Sequence, residues 1–250
     1  MNRTTSVLAS ALLGVMSLFA KDVNIVYVGN SITYGAYIDD KANDAPPARA
    51  SRHITEKRPD INLNFRNCGV SGMTTVNYLP ATDTQFPKIV EAARELSNNN
   101  NGELIFSISL GTNDSAESRP MGAPVLPQQY YTNMQAIINE LLRLFPHCRV
   151  VVQGPIWYSP NTYNKAMYLK SGLERLNSYK PMLPKLVKYY DEVKPSHVVL
   201  GDTAAYEAFR EQPKYFTPEN GNAGVFYLHP NAEGADLLGR YWAEAILKIL

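Results

Sequence analysis

Short apolar segments alternate with segments of helical periodicity along most of the chain. Five of the apolar segments are short and rich in branched residues, a pattern typical of strands that are buried on both faces. The predicted strands are Val23–Val28, Ile61–Asn67, Leu104–Leu110, Arg149–Gln153 and His197–Leu200. Between the strands, apolar residues recur every three or four positions, which predicts helices. The predicted helices are Pro47–Arg58, Phe86–Leu96, Pro127–Phe145, one or two helices within Asn161–Val193 interrupted by Pro181 and Pro184, and a last helix from the N-cap Asn231 to Leu250.

Strands that alternate with helices are typical of a parallel sheet covered by helices on both faces. We therefore predict an α/β fold, a flavodoxin-like three-layer sandwich built on a five-stranded parallel sheet. Ligands bind to such sheets outside the carboxyl ends of the strands. Ser31 follows the first predicted strand, Gly69–Thr75 follow the second, and Gly111–Ser115 follow the third. These loops are expected at one edge of the sheet, which His229 could also reach from its position before the last helix.

The N-terminal segment has the pattern of a signal peptide. A basic start is followed by the uncharged, mostly apolar run Val7–Phe19, and Ala20 precedes two charged residues. This order is typical of an export signal, and the apolar run is too short to span a bilayer comfortably. We predict a signal peptide at residues 1–20, a single domain at residues 21–250, and a periplasmic or secreted protein without stable membrane insertion after cleavage. A membrane-anchored or buried N-terminal helix is the alternative.

Composition supports one core and argues against a nucleic-acid partner. Of the 250 residues, 45% are hydrophobic, which is enough for a sizeable core. The chain has 24 basic and 23 acidic residues, a net charge of +1, and no basic stripe. Nucleic-acid-binding proteins normally carry an electropositive surface, so we exclude that class. The 16 tyrosines have two interpretations: residues at the core edge and the surface, or the aromatic floor of a sugar-binding cleft.

The two cysteines are poorly placed for a disulfide, although an exported protein can form one. Cys68 falls at the end of one predicted strand, and Cys148 falls at the start of another. In a parallel sheet these positions lie at opposite edges. We therefore expect two free, largely buried thiols.

The loops after the first three strands carry the parts of a serine-nucleophile site. A serine hydroxyl attacks a carbonyl only when a base takes its proton and preorganised donors hold the oxyanion that forms. Ser31 lies in a tight turn whose backbone N–H groups can point inward. Gly72 offers an N–H with no side chain to block close approach, and Asn113 offers a side-chain amide.

The base must be one of four histidines. His53 lies on a predicted helix among charged neighbours, whereas His147 and His197 lie at the opposite edge of the predicted sheet. His229 alone lies in a loop before a well-capped helix, so elimination favours it as the base.

Four segments resemble, in the same order, the four sequence blocks of the SGNH (GDSL-like) hydrolases. They are Gly29-Asn-Ser-Ile-Thr33, Asn67-Cys-Gly-Val-Ser-Gly72, Gly111-Thr-Asn-Asp114 and His229-Pro-Asn-Ala-Glu-Gly234. Together they span nearly the whole chain after the predicted signal. The resemblance implies the SGNH hydrolase fold, with Ser31 as the nucleophile and His229 as the general base. It also implies that the Gly72 N–H and the Asn113 side chain bind the oxyanion.

The block around His229 departs from the family in one position. The family usually has an acid three residues before this histidine, where the chain has Phe226, which cannot orient an imidazole as a carboxylate does. We favour a Ser–His pair in which a backbone carbonyl of Phe226 or Tyr227 orients the imidazole. One alternative is an acid from elsewhere, either Glu219 in the Pro- and Gly-rich segment interpreted as a loop, or Asp202 at the end of the fifth strand. The other alternative is an impaired enzyme.

Other catalytic motifs are absent from the sequence. The Gly-x-Ser-x-Gly motif of α/β-hydrolases is excluded because Thr33 occupies the second glycine position. There is no phosphate-binding Gly-x-x-x-x-Gly-Lys-Ser/Thr motif and no histidine or cysteine spacing typical of a metal site. We therefore expect neither a cofactor nor a metal ion.

The expected reaction is ester hydrolysis through an acyl-enzyme, and we favour O-acetyl esters on carbohydrates with sialic acid as the leading substrate. Export, the many tyrosines and two lid-like segments, Asp114–Gln128 and Trp157–Lys170, favour a carbohydrate cleft over a long acyl groove. The tail Tyr215–His229 resembles sialate O-acetylesterases of gut bacteria. The alternatives are an acetylxylan or other short-chain ester or lipid hydrolase, a catalytically impaired glycan-binding protein, and a flavodoxin-like module for a small ligand.

Overall fold

A five-stranded sheet forms the centre of the computed structural model, which describes residues 20–250. Its strands are β1 (Lys21–Gly29), β2 (Ile61–Gly69), β3 (Glu103–Ser109), β4 (Arg149–Val152) and β5 (Val198–Leu200). They lie in the order β2-β1-β3-β4-β5, and every neighbouring pair is parallel. The predicted five-stranded parallel sheet is confirmed. The predicted signal peptide, apart from Ala20, lies outside the described residues.

Strand β1, which lies between β2 and β3, is buried on both faces from Val23 to its last residue. Val26 and Val28 contact one hydrophobic core, whereas Ile25 contacts a second core on the opposite face. Because neither face meets water, the strand has no polar face and its sequence is an almost continuous apolar run.

Helices cover both faces of the sheet and complete a three-layer sandwich. The α-helices are α1 (Ser31–Tyr34), α2 (Lys41–Asp44), α3 (Pro46–Lys57), α4 (Phe86–Asn99), α5 (Pro127–Leu144), α6 (Leu169–Tyr179), α7 (Met182–Val193), α8 (Ala205–Glu211) and α9 (Ala232–Leu247). Helices α4 to α7 pack mainly into one core, and α3, α8 and α9 pack mainly into the other. The short helices α1, α2 and α8 are not predicted from apolar periodicity because each has too few turns to display it. Within residues 20–250, no helix is long and apolar enough to cross a membrane.

Proline and asparagine explain several helix boundaries. Pro181 separates α6 from α7 because its ring cannot continue a helix. Pro184 lies in the first turn of α7, where backbone N–H groups have no intrahelical acceptor, so its missing N–H is tolerated. Asn231 caps α9 as predicted, since its side chain accepts a hydrogen bond from the Gly234 N–H at 3.0 Å. This last helix ends at Leu247, slightly before its predicted end.

An antiparallel hairpin, which is not predicted from the sequence pattern, precedes α9. Its strands, β6 (Phe216–Gly221) and β7 (Gly224–Pro230), form a two-stranded sheet separate from the main sheet. The pairing is irregular between Phe216 and Pro218. The interpretation of this segment as a loop is therefore wrong. Its proline, glycine and asparagine content is typical of loops, but contacts with a distant segment fix it as a hairpin.

The segment that follows β4 supplies those contacts. Ser159 donates its N–H to the Tyr227 carbonyl at 2.9 Å, and its hydroxyl accepts the Tyr227 N–H at 2.8 Å. The Asn161 side chain donates to the Val225 carbonyl at 2.8 Å. These hydrogen bonds satisfy the outer edge of β7 and hold the hairpin in place.

Both cysteines are free, as expected. Cys148 is buried, whereas Cys68 is partly exposed and so less buried than expected. Burial raises the pKa of the Cys148 thiol to about 12 and that of the Cys68 thiol to about 11. Both thiols are therefore protonated, and weak nucleophiles, at neutral pH.

Candidate active site

Ser31 is the first residue of α1, which begins almost directly after β1 ends at Gly29. Asn30 caps this short helix, because its side-chain oxygen accepts the Ile32 N–H at 2.9 Å. A Cβ at Gly29 would overlap the Thr33 side chain, so glycine is required for this sharp passage from strand to helix. The Ser31 N–H lies in the first turn, where it has no intrahelical acceptor.

The loop after β2 is fastened to this turn. The Tyr78 hydroxyl lies 2.7 Å from the Gly29 carbonyl oxygen and 2.8 Å from the Cys68 carbonyl oxygen. Val70 donates its N–H to the same Gly29 oxygen at 3.0 Å. The ends of β1 and β2 are thus locked together, and the loop that carries Gly72 starts from a fixed position.

The imidazole of His229 connects Ser31 to a carboxylate. Its Nε2 lies 2.9 Å from the Ser31 Oγ, and its Nδ1 lies 2.8 Å from the Glu219 Oε1. Because an ionised carboxylate only accepts hydrogen bonds, Nδ1 carries the proton and Nε2 can accept one from the serine. The same Glu219 oxygen accepts the His229 backbone N–H at 3.2 Å. Ser31 and Glu219 are each 9% exposed, so little water reaches this row of side chains.

The group that contacts the His229 Nδ1 is therefore the Glu219 carboxylate. The prediction that a backbone carbonyl of Phe226 or Tyr227 orients the imidazole is not what the structure shows. The Tyr227 carbonyl instead accepts a hydrogen bond from the segment after β4. Asp202 accepts backbone N–H groups at the start of α8, including that of Ala204 at 2.8 Å. Glu219 lies directly opposite Phe226 in the β6–β7 hairpin. The carboxylate thus comes from β6, across from the β7 position where the SGNH pattern has its acid.

Gly72 and Asn113, the two predicted oxyanion donors, line a cleft together with His229. Gly72 has a φ of +81°, which favours glycine, and among the described residues no acceptor is bonded to its N–H. A Cβ at this position would meet no atom within 4 Å, so the cleft is open beside its backbone. Asn113 is 2% exposed, and its Nδ2 donates to the Met73 carbonyl at 2.8 Å. An amide nitrogen has two hydrogens, so the second remains for another acceptor.

Asp114 anchors the loop that carries Asn113. Its Oδ1 accepts the Thr75 N–H at 2.9 Å and also the Thr75 hydroxyl, while Asn133 of α5 donates to that hydroxyl oxygen at 2.9 Å. Asp114 is fully buried, and burial raises the pKa of its carboxyl to about 6. This residue is not among the predicted site residues, and its place in the Gly-Thr-Asn-Asp block is the only sequence signal for it.

The cleft has a volume of about 820 Å³. The two predicted lid-like segments line part of it, and they contribute the cations Arg119 and Lys165. Within residues 20–250, neither cation has a carboxylate at ion-pair distance. More than half of the tyrosines are buried, and Tyr37 and Tyr168 line the cleft. Three further asparagines also line it: Asn77, Asn164 and Asn220.

The other histidines lie away from this cleft. The His53 Nε2 on α3 lies 2.9 Å from an Asp236 carboxylate oxygen on α9. The His197 Nδ1 lies 2.8 Å from the Cys148 carbonyl oxygen. His147 lines a separate cavity at the amino ends of β1 and β3. Of the four histidines, His229 is the one that the structure brings to Ser31.

The three-layer sandwich with this site at its carboxyl edge defines the class of SGNH hydrolases. A family model described as the GDSL-like Lipase/Acylhydrolase family matches residues 27–237. The chain therefore belongs to this family, and its class of activity is carboxylic ester hydrolysis. The matched region contains all four predicted site residues: Ser31, Gly72, Asn113 and His229. The comparison with curated proteins finds no match.

Solved structures with this fold include several esterases. A carbohydrate acetylesterase from Sinorhizobium meliloti superimposes with a TM-score of 0.62 at 15% identity, covering 91% of this chain and 100% of that chain. The aryl esterase of M. smegmatis gives a TM-score of 0.60 at 16% identity, covering 91% of this chain and 100% of that chain. A two-domain esterase active on acetylated mannans gives 0.57 at 14% identity, covering 97% of this chain and 52% of that chain.

Proposed function

We propose that this protein is a serine esterase that removes acetyl groups from O-acetylated carbohydrates, with sialic acid as the leading substrate. The observation that carries the esterase mechanism is the row of Ser31, His229 and Glu219, with contacts of 2.9 and 2.8 Å. A nucleophile, a base and a group that orients the base are the three parts that acyl transfer by a serine needs.

In the first step, His229 Nε2 takes the Ser31 proton as Oγ attacks the acetyl carbonyl carbon. The carbonyl oxygen becomes an oxyanion, which accepts hydrogen bonds from the N–H groups of Ser31 and Gly72 and from the Asn113 amide. Collapse of this intermediate breaks the C–O bond to the sugar, and the imidazolium gives its proton to the departing sugar oxygen. Glu219 stabilises the imidazolium and keeps the ring in the required tautomer.

In the second step, water attacks the acetyl group on Ser31 as His229 Nε2 takes the water proton. The same donors hold the second oxyanion. Release of acetate returns the proton from the imidazolium to the Ser31 Oγ, and the enzyme is regenerated.

The cleft supports an acidic sugar as the substrate. Arg119 and Lys165 are exposed and place two positive charges beside the cleft, and neither is neutralised by a carboxylate of the described chain. A substrate carboxylate would pair with them, and cations at such a rim also attract anionic ligands over a distance. The names of two structural neighbours, a carbohydrate acetylesterase and an esterase active on acetylated mannans, support a sugar as the alcohol part.

Acetate release tests the substrate most directly. Purified enzyme is compared on O-acetylated sialic acid, its carboxyl methyl ester, acetylated xylan and p-nitrophenyl acetate. We expect kcat/KM to be about twofold to thirtyfold higher for the free acid than for its methyl ester, since two exposed ion pairs together contribute ~0.4–2 kcal/mol. The combined Arg119→Gln and Lys165→Gln variant should bring this ratio close to one. A wild-type ratio near one, or a preference for xylan, would contradict the acidic substrate.

A second assay tests the nucleophile. Ser31→Ala should abolish hydrolysis of all four esters, whereas Ser107→Ala, a change at a buried serine of β3 outside the cleft, should retain it. If Ser31→Ala remains active, the proposed mechanism is wrong. If the wild-type enzyme binds acetylated sugars without hydrolysing them, the protein is a glycan-binding protein.

We also propose export with cleavage after Ala20. N-terminal sequencing of the protein recovered from the periplasm or the medium of an expressing bacterium should begin at Lys21. Retention of the uncleaved chain in the membrane fraction would support the alternative of an N-terminal anchor.

A further inference from the structure

Tyr168 connects a lid-like segment to the candidate oxyanion donor. It immediately precedes α6, is 5% exposed, and donates its hydroxyl hydrogen to the Asn113 Oδ1 at 2.5 Å. We propose that Tyr168 is a positioning residue that fixes the Asn113 side chain so that one amide hydrogen faces the oxyanion. This inference rests on the proposed function, because it concerns a donor of that reaction.

The hydrogen bonds of Asn113 define the orientation of its amide. A carbonyl oxygen can only accept, so the group facing the Met73 carbonyl at 2.8 Å must be Nδ2. Oδ1 then faces Tyr168, whose hydroxyl donates to it. With both ends held, one Nδ2 hydrogen is used by Met73 and the other is directed away from both partners. Preorganised donors of this kind need no rearrangement when charge develops on the substrate.

Tyr168 also strengthens the donor that it positions. A hydrogen bond accepted by an amide oxygen polarises the amide and makes its N–H a better donor, and this effect is larger in a buried site than in water. Asn113 is 2% exposed, so its amide is nearly fully shielded.

The backbone around Tyr168 is held in an uncommon conformation. Its two neighbours, Met167 and Leu169, have φ values of +55° and +52°, in the left-handed region. Each costs ~1–2 kcal/mol for a residue with a side chain. The Thr162 carbonyl accepts the N–H groups of Tyr168 at 3.1 Å and of Leu169 at 3.2 Å, which stabilises this turn. Strain on both sides of one residue is typical of a segment that is selected for where it places a side chain.

The surroundings of Tyr168 give it a positioning role and not an acid–base role. Burial raises the pKa of its hydroxyl, and the negative charges of Glu219 and Asp114 raise it further. The hydroxyl therefore stays protonated and remains a donor at neutral pH. The ring packs edge-on against Tyr158, with ring centroids 5.3 Å apart, which restricts its movement.

A double-mutant cycle tests this role. The variants are Tyr168→Phe, Asn113→Ala and their combination, assayed for kcat and KM on p-nitrophenyl acetate. Tyr168→Phe should lower kcat about tenfold with little change in KM, since it misplaces a donor whose complete loss costs ~100- to 1,000-fold. In the Asn113→Ala background, the same change should have almost no further effect on kcat.

Tyr190→Phe is the matched control. Tyr190 is also buried, and its hydroxyl faces two acceptors outside the cleft, the Asn139 Oδ1 at 2.7 Å and the Gln135 carbonyl oxygen at 3.1 Å. Both tyrosine variants lose one buried hydrogen bond, so their melting temperatures should fall by similar amounts. Only Tyr168→Phe should lower kcat.

The outcomes separate the two proposals. Additive effects of Tyr168→Phe and Asn113→Ala, or equal kcat losses in Tyr168→Phe and Tyr190→Phe, would overturn the positioning role. Either result would leave the esterase intact if Ser31→Ala is inactive. Activity that survives in Ser31→Ala would instead overturn the proposed function. Should Tyr168→Phe fold poorly, the cycle is repeated with Tyr168→His, whose shorter side chain also removes the hydrogen bond to the Asn113 Oδ1. The same lack of additivity with Asn113→Ala is expected, and additive effects would again overturn the positioning role.

Discussion

The Asp114 carboxyl is fully buried beside the candidate oxyanion donor, and its Oδ2 has no hydrogen-bond partner among the described residues. Burial raises its pKa from an ordinary value of 3.8 to about 6. A carboxyl whose pKa is raised by folding contributes fully to stability below pH 3.8 and loses that contribution as the pH rises through about 6. A shift of about two units corresponds to about 3 kcal/mol, since each unit is worth ~1.4 kcal/mol.

The variant Asp114→Asn removes the titration and keeps the shape. Its amide oxygen can accept the two Thr75 hydrogen bonds, while its nitrogen takes the place of the unpartnered Oδ2. Relative to wild type, the free energy of unfolding of the variant should therefore increase by about 3 kcal/mol between about pH 4 and about pH 7.

Urea unfolding of both proteins across this pH range measures that difference. Comparison of the two proteins cancels the titration of all other groups, provided that the slope of free energy against urea is the same. A stability difference that does not change with pH would refute the reasoning, because it would mean that Asp114 titrates alike in the folded and unfolded states.

Three further predictions concern the site. Glu219→Gln should lower kcat on p-nitrophenyl acetate by ~10³- to 10⁴-fold with an unchanged melting temperature, because an amide no longer selects the required His229 tautomer; a loss below tenfold would remove Glu219 from the mechanism. Asn113→Ala should lower kcat ~100- to 1,000-fold and leave the fold intact, and a folded variant with full activity would contradict its role. Gly72→Ala should cost only ~1–2 kcal/mol of backbone strain because its Cβ would face open space, whereas Gly29→Ala should be far more damaging because its Cβ would overlap Thr33; thermal melts that show equal losses would contradict this contrast.

The main sheet and the position of the nucleophile are predictable from the sequence for a simple reason. Buried parallel strands read as continuous apolar runs, and their carboxyl ends share one edge. Ser31, Gly72 and Asn113 each follow such a strand, so their proximity follows from topology alone. His229 is reached by elimination, since the other histidines lie on a helix or at the opposite edge.

The partner of His229 is not predictable in the same way. Glu219 approaches the imidazole only because β6 pairs with β7 in a register that sets it opposite Phe226. That register depends on an irregularity near Pro218 and on hydrogen bonds to Ser159, which lies far away along the chain. The local amino-acid composition predicts neither the irregular pairing nor the hydrogen bonds to Ser159. The position of Tyr168 is equally hidden, because two left-handed residues determine it.

The position of the β6–β7 hairpin determines how the enzyme loses activity on warming. Glu219 and His229 both belong to this hairpin, whereas Ser31 belongs to the turn after β1. A two-stranded sheet has little stability of its own, and peripheral units open at a lower free energy than the core strands. Activity therefore requires the less stable β6–β7 hairpin to stay docked against the more stable sheet that carries Ser31. On gentle warming, the base should leave the nucleophile while the five-stranded sheet stays folded, so inactivation will precede the loss of helical circular dichroism.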